Sequence, residues 1–167
     1  MLYEHGHARI GFIRNEPQND YDEMKTKVTM EELKRLGVAL TKNNIFSSKI
    51  CSWENSLSAA QSMTEKNIKL ISTMKLTALI FTSAIGGVAA IKILKEHGIS
   101  VPEDISVVGD GDYNIFEYLS PAMTVVNADY QKMVCEAVDF LVSPLLNTES
   151  HHYYDHTIIK RESLIQL

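Results

Sequence analysis

Short apolar runs alternate with longer amphipathic stretches along this chain of 167 residues. The run 76–82 (LTALIFT) is almost continuously apolar, which is typical of a strand buried on both faces of a parallel sheet. Further strands are predicted at 8–13, 45–51, 105–109, 123–127 and 156–160, and helices at 20–36, 57–74, 85–97 and 128–142. The order βαβαβαβ–βαβ predicts an α/β fold with a doubly wound, mostly parallel sheet.

Composition and charge narrow the class of protein. Apolar residues make up 45% of the chain and charged residues 22%, as expected for a chain with a real core. The net charge is −5, so direct contact with DNA through a basic face is not expected. The amino terminus lacks a signal-peptide pattern, and no apolar run reaches the roughly 18–20 residues of a membrane span. The sequence therefore predicts a cytoplasmic protein without membrane contact.

Several side chains are predicted to be buried. Cys51 and Cys135 stand in apolar runs and are expected to be free, buried thiols. His7, just before the first strand, is interpreted as a capping or packing histidine. The methionines on predicted helix faces and the apolar stripe of the first helix are expected in the core. These residues are Met24, Val28, Met30, Leu33, Leu36, Met63 and Met133.

Polar and aromatic groups follow the predicted strands, where ligands bind in open α/β sheets. Asn15 and Glu16 follow the first strand, Trp53 the second, Ser83 the third, and Asp110 and Asp112 the fourth. A ring that packs on C–H surfaces, set among hydroxyl, amide and carboxylate groups, is the composition of a carbohydrate site. These residues are therefore candidate contacts of a small polyol.

An enzyme is the less favoured interpretation. The sequence has no G-x-S-x-G elbow, no P-loop and no G-x-G-x-x-G after a strand. Asp110 and Asp112 offer a magnesium site, but capping a turn or meeting a ligand is favoured for this pair. His151, His152 and His156 with Asp155 offer a metal site, but a solvated loop at 147–155 is favoured. No catalytic residue, metal or cofactor is predicted.

The longest motif is 77–126, TALIFTSAIGGVAAIKILKEHGISVPEDISVVGDGDYNIFEYLSPAMTVV. It resembles the lactose/galactose repressor family of bacterial transcription regulators, whose pattern runs through G-[IL]-x-V-P-x-D-[IV]-S-[VL]-[VI]-G to P-x-[LM]-T-x-[VI]. The stretch 6–12 (GHARIGF) is similar to the opening of that family's second effector subdomain. The stretch 158–163 (IIKRES) is similar to its closing strand, so the resemblance covers nearly the whole chain.

The resemblance implies a periplasmic-binding-protein-like type I fold, made mainly of the second effector subdomain. It implies that 1–112 form this subdomain and that 113–150 hold a crossover strand and helix of the first subdomain. The range 151–167 is then a loop and closing strand. The helix-turn-helix head, the hinge helix and most of the first subdomain are not in the sequence.

The resemblance also implies binding roles. Lys25 stands where the family has an arginine that grips the effector, with Val28 in place of a glycine. Trp53 matches a tryptophan that stacks on sugar, and Ser83 replaces an asparagine. In the acidic turn Gly111 replaces an aspartate while Asp112 remains. The predicted effector-binding set is Lys25, Trp53, Ser83, Asp112, Asn15 and Asp110.

The function implied is that of the effector-sensing and dimerisation module of a DNA-binding regulator. A small-molecule effector, a carbohydrate, would bind between two subdomains and change their orientation, and operator DNA would be contacted only through the head. The helix from Ile85 and the segment 115–119 are expected to help form a homodimer. The alternatives are a sugar-binding protein of a transport system and a small magnesium-dependent enzyme using Asp110 and Asp112.

Overall fold

The computed structural model describes residues 1–38, 40–142 and 154–167. All ten predicted strands and helices are present. The strands are β1 (Ile10–Arg14), β2 (Ile45–Ser47), β3 (Ala78–Phe81), β4 (Ser106–Asp110), β5 (Thr124–Ala128) and β6 (His156–Ile159). The helices are α1 (Asp20–Arg35), α2 (Ser56–Thr73), α3 (Ala84–Glu96) and α4 (Tyr130–Val142), with 3₁₀ turns at Trp53–Asn55 and Asn114–Tyr118. His151, His152 and most of the predicted loop 147–155 lie outside the described residues.

The six strands form one sheet in the order β2-β1-β3-β4-β5-β6. The pairs from β2 to β5 are parallel, and β6 runs antiparallel to β5. The predicted α/β fold with a doubly wound, mostly parallel sheet is confirmed. Because β1, β3, β4 and β5 point the same way, their carboxyl ends meet at one edge of the sheet.

Alternate strand residues fill two separate cores, as the period of a strand requires. On one face, Leu79, Val107 and Val125 pack in a cluster with buried residues of α2 and α3. On the other face, Ile10 and Val108 pack in a smaller cluster that includes Leu33 of α1. Both faces of the central strands are therefore buried, which explains their unbroken apolar runs.

The boundary predicted at residue 112 stays a prediction. Strand β5, which lies beyond it, pairs with β4 in the same sheet. Helix α4 buries none of its residues. Its apolar side chains Tyr130, Val134, Val138 and Leu141 are all exposed. Since these positions recur at intervals of four, four and three residues, they form one stripe along the helix.

The expected core role of the first helix is wrong for part of its stripe. Met24 is 56% exposed and Val28 is 58% exposed, and Met30 is exposed as well, whereas Leu33 is buried. The face that α1 turns inward carries Asp22, Thr26 and Leu33 instead. Met24 and Val28 line a cavity between α1 and the sheet, so they border a cleft rather than fill the core.

The prediction of two buried thiols is also wrong. Cys51 and Cys135 are both exposed. The second strand ends at Ser47 rather than at residue 51, so Cys51 lies in the loop beyond the sheet. Cys135 belongs to α4, which has no buried face among the described residues.

Among the residues that the structure describes, no helix combines the length and apolar character needed to cross a membrane.

His7 links the segment before β1 to the closing segment after β6. The imidazole is fully buried, and its Nε2 donates to the Ile165 carbonyl over 3.0 Å and lies 3.2 Å from the Ser106 hydroxyl. Nearby, the Ser163 hydroxyl donates to the Val107 carbonyl over 2.6 Å. The closing segment is thus tied to β4 at two points. Among the described residues, His7 Nδ1 has no hydrogen-bond partner.

We expect the free energy of unfolding to fall as the pH is lowered below about 6.5. Burial lowers the pKa of His7, partly opposed by its bond to Ile165, so the folded chain holds this ring neutral. The stabilisation is complete above the unfolded pKa and is lost as the pH falls toward the folded pKa. Urea unfolding across this pH range should show a smaller loss in His7→Gln than in the wild type. Equal pH dependence in the two proteins would contradict this role.

Candidate functional site: a charged cluster at the carboxyl edge of the sheet

Lys25 lies at the centre of a charged cluster where β1, β3 and β4 end. Its ammonium donates to the Thr82 carbonyl over 3.0 Å and to Asp110 Oδ2 over 3.2 Å. It also forms a close ion pair with Glu16, and it lies 4.8 Å from the centre of the Tyr21 ring. Two of the predicted binding residues, Lys25 and Asp110, are therefore brought into direct contact. We call Glu16, Lys25 and Asp110 the Lys25 cluster.

Burial and charge act in opposite directions on this cluster. Burial raises the pKa of the Glu16 carboxyl, which is only 5% exposed, and the neighbouring Lys25 partly offsets that rise. Burial alone would lower the pKa of Lys25, but its pairing with Glu16 and Asp110 outweighs this effect and raises it. The ammonium is therefore held firmly in its charged form by two carboxylates.

A cavity of about 440 Å³ opens beside the cluster, between α1 and the sheet. It is lined mainly by apolar side chains, with a few polar groups at the strand ends. The lining residues include Tyr21, Met24, Lys25, Val28, Ile80, Val108, Asp110, Val126 and His156. Apolar walls with a few convergent polar groups are typical of small-molecule sites. A larger space of about 780 Å³ lies along α1 among charged side chains, away from the strand ends of β3 and β4.

Asn15 is a clamp residue, by which we mean that its hydrogen bonds hold neighbouring elements together at the carboxyl edge of the sheet. It is fully buried, its amide nitrogen donates to the Ser56 hydroxyl and the Ser83 carbonyl, each over 3.1 Å, and its Oδ1 accepts from the Ser83 amide over 3.0 Å. Its own backbone N–H donates to the Thr82 hydroxyl over 3.0 Å. Asn15 therefore ties β1 to α2 and to the turn before α3. Effector contact by Asn15 and Ser83 stays a prediction.

Asp112 is paired with Arg161 from the closing segment. Both carboxylate oxygens accept from the guanidinium, over 2.9 and 2.8 Å, and the same guanidinium donates to the Met123 carbonyl over 2.8 Å. This bidentate geometry fixes the end of the chain to the turn after β4. A direct contact between Asp112 and an effector stays a prediction.

Trp53 lies in the 3₁₀ turn that leads into α2 and is 56% exposed. Ser52 caps the turn by accepting from the Glu54 amide over 3.3 Å. Ser56, three residues further on, is bonded to Asn15, so the turn is held near the end of β1. The ring is open to solvent, as stacking on a ligand requires. The described contacts do not join it to the Lys25 cluster.

Sequence reasoning placed Glu16 beyond the first strand but left it out of the binding set, and it missed Tyr21, Tyr130 and Arg161. The strand-end rule could have selected both Glu16 and Tyr130, which follow β1 and β5 closely. Tyr21 precedes Lys25 by one helical turn, which brings the two side chains together. The pairing of Arg161 with Asp112 spans 49 positions and leaves no local signal.

The sheet, its two cores and the cleft at the carboxyl edge define an α/β domain of the periplasmic-binding-protein type. The model of the family described as periplasmic binding protein-like domain matches residues 1–164. The chain belongs to this family, in the branch of the lactose repressor (LacI) transcription regulators. The resemblance seen in 77–126 is confirmed.

Three relatives illustrate the match. The regulator GalS of Salmonella typhimurium is 25% identical over 167 residues, which cover 98% of this chain and 47% of GalS. The repressor PurR of Aliivibrio salmonicida is 28% identical over 153 residues, 90% of this chain and 43% of PurR. A sugar-binding LacI-family regulator of Escherichia coli, solved with phosphate, is 25% identical with a TM-score of 0.85, covering 99% of this chain and 58% of that one.

The chain thus spans about half the length of these curated relatives. All three are transcription regulators, which favours the regulator over the transport protein and the enzyme.

We expect Asn15→Ala to destabilise the fold by roughly 2–4 kcal/mol, because it removes several buried hydrogen bonds and leaves their partners unpaired. The free energy of unfolding in urea measures this loss. The control is Asn43→Ala at an exposed position, which should change stability by less than about 0.5 kcal/mol. A similar small effect for both variants would rule out the clamp.

Proposed function

We propose that this chain is the effector-sensing part of a cytoplasmic bacterial transcription regulator whose helix-turn-helix head is not among these residues. The observation that carries the proposal is the Lys25 cluster beside an apolar cavity, at the sheet edge where the fold binds ligands. Membership of the LacI branch supports a regulatory rather than a catalytic role. The effector is a small molecule of the carbohydrate class, in keeping with the sugar-binding E. coli regulator that the chain resembles.

The proposed contacts are divided between two parts of the edge. Trp53 stacks on the effector, Asp110 meets its polar groups, and Lys25 holds the Asp110 and Glu16 carboxylates beside it. Asn15, Ser83 and Asp112 act mainly by fixing the loops, since Asn15 is buried and the Asp112 oxygens are paired. The carboxylate of Asp110 is the accessible member of the cluster, with its side chain 26% exposed.

We propose that α4 belongs to the first effector subdomain, which would supply the second wall of the cleft. Its apolar stripe is exposed along the whole helix, and an amphipathic helix is normally stable only when that face is covered. Effector binding would change the orientation of the two subdomains and thereby the affinity of the head for operator DNA. With one wall only, this chain should bind effectors weakly.

We also propose that regulators of this sequence form homodimers through α3 and the turn Asn114–Tyr118. Tyr113, Ile115 and Tyr118 are exposed in and beside this turn. The turn lies on the chain just after Asp112, so a dimer contact there is linked to the cleft by a short segment. An apolar surface of this kind is typical of a protein interface.

Titration with sugars should change the fluorescence of Trp53, which is the single tryptophan of the chain and therefore an unambiguous probe. We expect Lys25→Gln to weaken the response by about tenfold or more, because it unpairs two carboxylates at the site. Lys42→Gln, at an exposed position, is the matched control and should respond like the wild type. The proposal is contradicted if no mono- or disaccharide changes the emission.

Light scattering tests the dimer and the separate assignment of α4. Ile115→Asp should lower the mean mass toward that of a monomer, because a charge would be buried in the apolar contact. Val134→Asp, on the α4 stripe, should leave the mass unchanged if that stripe faces the first subdomain rather than a second copy. A wild-type chain that stays monomeric at high concentration, or a monomer produced only by Val134→Asp, would overturn the assignment.

A further inference from the structure

We infer that the cleft selects an amino sugar over the phosphorylated form of the same sugar. The inference rests on the proposed function and names the charge of the effector. It follows from which hydrogen-bonding groups at the strand ends remain accessible to a ligand. A ligand phosphate needs free donors and positive charge, whereas an ammonium needs free acceptors and negative charge.

The cationic side chains at this edge are already paired with carboxylates. An ammonium has three N–H groups, and Lys25 makes three contacts, with Thr82, Asp110 and Glu16. The Arg161 guanidinium faces Asp112 and the Met123 carbonyl. A phosphate that displaced one of these carboxylates from its cation would leave a charge unpaired.

Arg14 is engaged in the same way. Its Nε donates to Asp22 Oδ2 over 3.2 Å, and the same carboxylate pairs closely with the guanidinium. Asp22 is buried, and its Oδ1 has no partner among the described residues. The pair therefore places a buried acceptor without a hydrogen-bond partner, Asp22 Oδ1, beside the end of β1.

Acceptors and negative charge are in excess at the cluster itself. One ammonium stands between two carboxylates, so Glu16, Lys25 and Asp110 together carry a formal charge of −1 when both acids are ionised. Asp110 has a second oxygen available, since its Oδ2 is the atom bonded to Lys25. The charges of Asp110 and Asp22 also help to raise the pKa of Glu16, after burial and against Lys25. The local potential thus remains negative despite the lysine.

Two tyrosine rings complete an environment that suits a cation. Tyr21 already packs against the Lys25 ammonium at 4.8 Å from its ring centre. Tyr130, after β5, lies close enough that Asp110 helps to raise the pKa of its hydroxyl, after the effect of burial. Aromatic faces beside carboxylates stabilise ammonium groups and pack on the C–H surface of a sugar ring.

The amino end of α3 adds positive potential at this edge, since a helix terminus carries roughly half a unit charge. The Ser83 amide at this end is bonded to Asn15 over 3.0 Å, so it is not available to a ligand. A Cβ built on Gly109 would lie 2.9 Å from the Ala84 nitrogen, so this end of α3 is packed closely against β4. The half charge of the helix end is smaller than the unit negative charge of the Lys25 cluster.

Calorimetric titration of the 167-residue chain with two matched series of sugars tests the inference. The first series is glucosamine, glucose and glucose 6-phosphate. The second is galactosamine, galactose and galactose 6-phosphate. In at least one series we expect the amino sugar to bind roughly tenfold more tightly than the phosphorylated sugar, which is the effect of one screened charge contact. The phosphorylated sugar is the most informative ligand, because the E. coli relative was solved with phosphate and a phosphate-binding cleft would give the opposite order of affinities.

Asp110→Asn should reduce the preference for the amino sugar several-fold. The matched control is Glu103→Gln, which removes the same charge at an exposed position before β4, at the opposite edge of the sheet. It should leave the preference unchanged. If Asp110→Asn fails to fold by circular dichroism, added salt provides the second test, since screening should shrink the preference of the wild type.

The outcomes separate the two proposals. Tighter binding of the phosphorylated sugar, or equal binding of the three forms, would overturn the charge selectivity while leaving the proposed function intact. No binding in either series, together with no fluorescence response to any other sugar, would overturn the proposed function and this inference with it.

Discussion

The hydrogen bonds of Asn15 hold together the edge on which the site is built. One buried amide bonds the Ser56 hydroxyl at the start of α2 and both backbone groups of Ser83, so α2 and the turn before α3 are fixed relative to the end of β1. A Cβ built on Gly86 would lie 2.2 Å from this amide, which shows how closely α3 approaches it. The Thr82 carbonyl that accepts from Lys25 belongs to the same turn. The position of the ammonium therefore depends on a residue that need not touch a ligand.

The fold was predictable because its strands are buried on both faces. The run 76–82 has no polar alternation to confuse its assignment, and the glycines after α1 and α3 adopt positive φ where the helices end. The exposure of Met24, Val28, Cys51 and Cys135 was not predictable in the same way. Periodicity identifies an apolar stripe, but it does not say whether the covering element is part of the sequence in hand.

The candidate site was predictable in its location and less so in its pairings. Lys25 was selected by its place in the family pattern and Asp110 by its place after a strand, and the two prove to be in contact. The second carboxylate on Lys25 comes from Glu16, which reached the list of strand-end groups but not the binding set. Whether a carboxylate is already paired can depend on a residue far along the chain, as the pairing of Asp112 with Arg161 shows. That pairing determines whether the carboxylate is available to a ligand.

The paired state of the cluster has a consequence for how an effector could act on orientation. Because the Lys25 ammonium already contacts the Thr82 carbonyl and two carboxylates without a ligand, the cleft does not offer an unpaired lysine to an anion. A ligand gains affinity only through the remaining acceptors, the tyrosine rings and the apolar wall, together with groups of a second wall. Contacts made by both walls at once are the ones that differ between open and closed orientations, and only such differential contacts can shift the equilibrium between them. For the proposed two-walled cleft, neutralised cations on this wall leave much of the binding free energy to be gained on closure, as the proposed regulatory role requires.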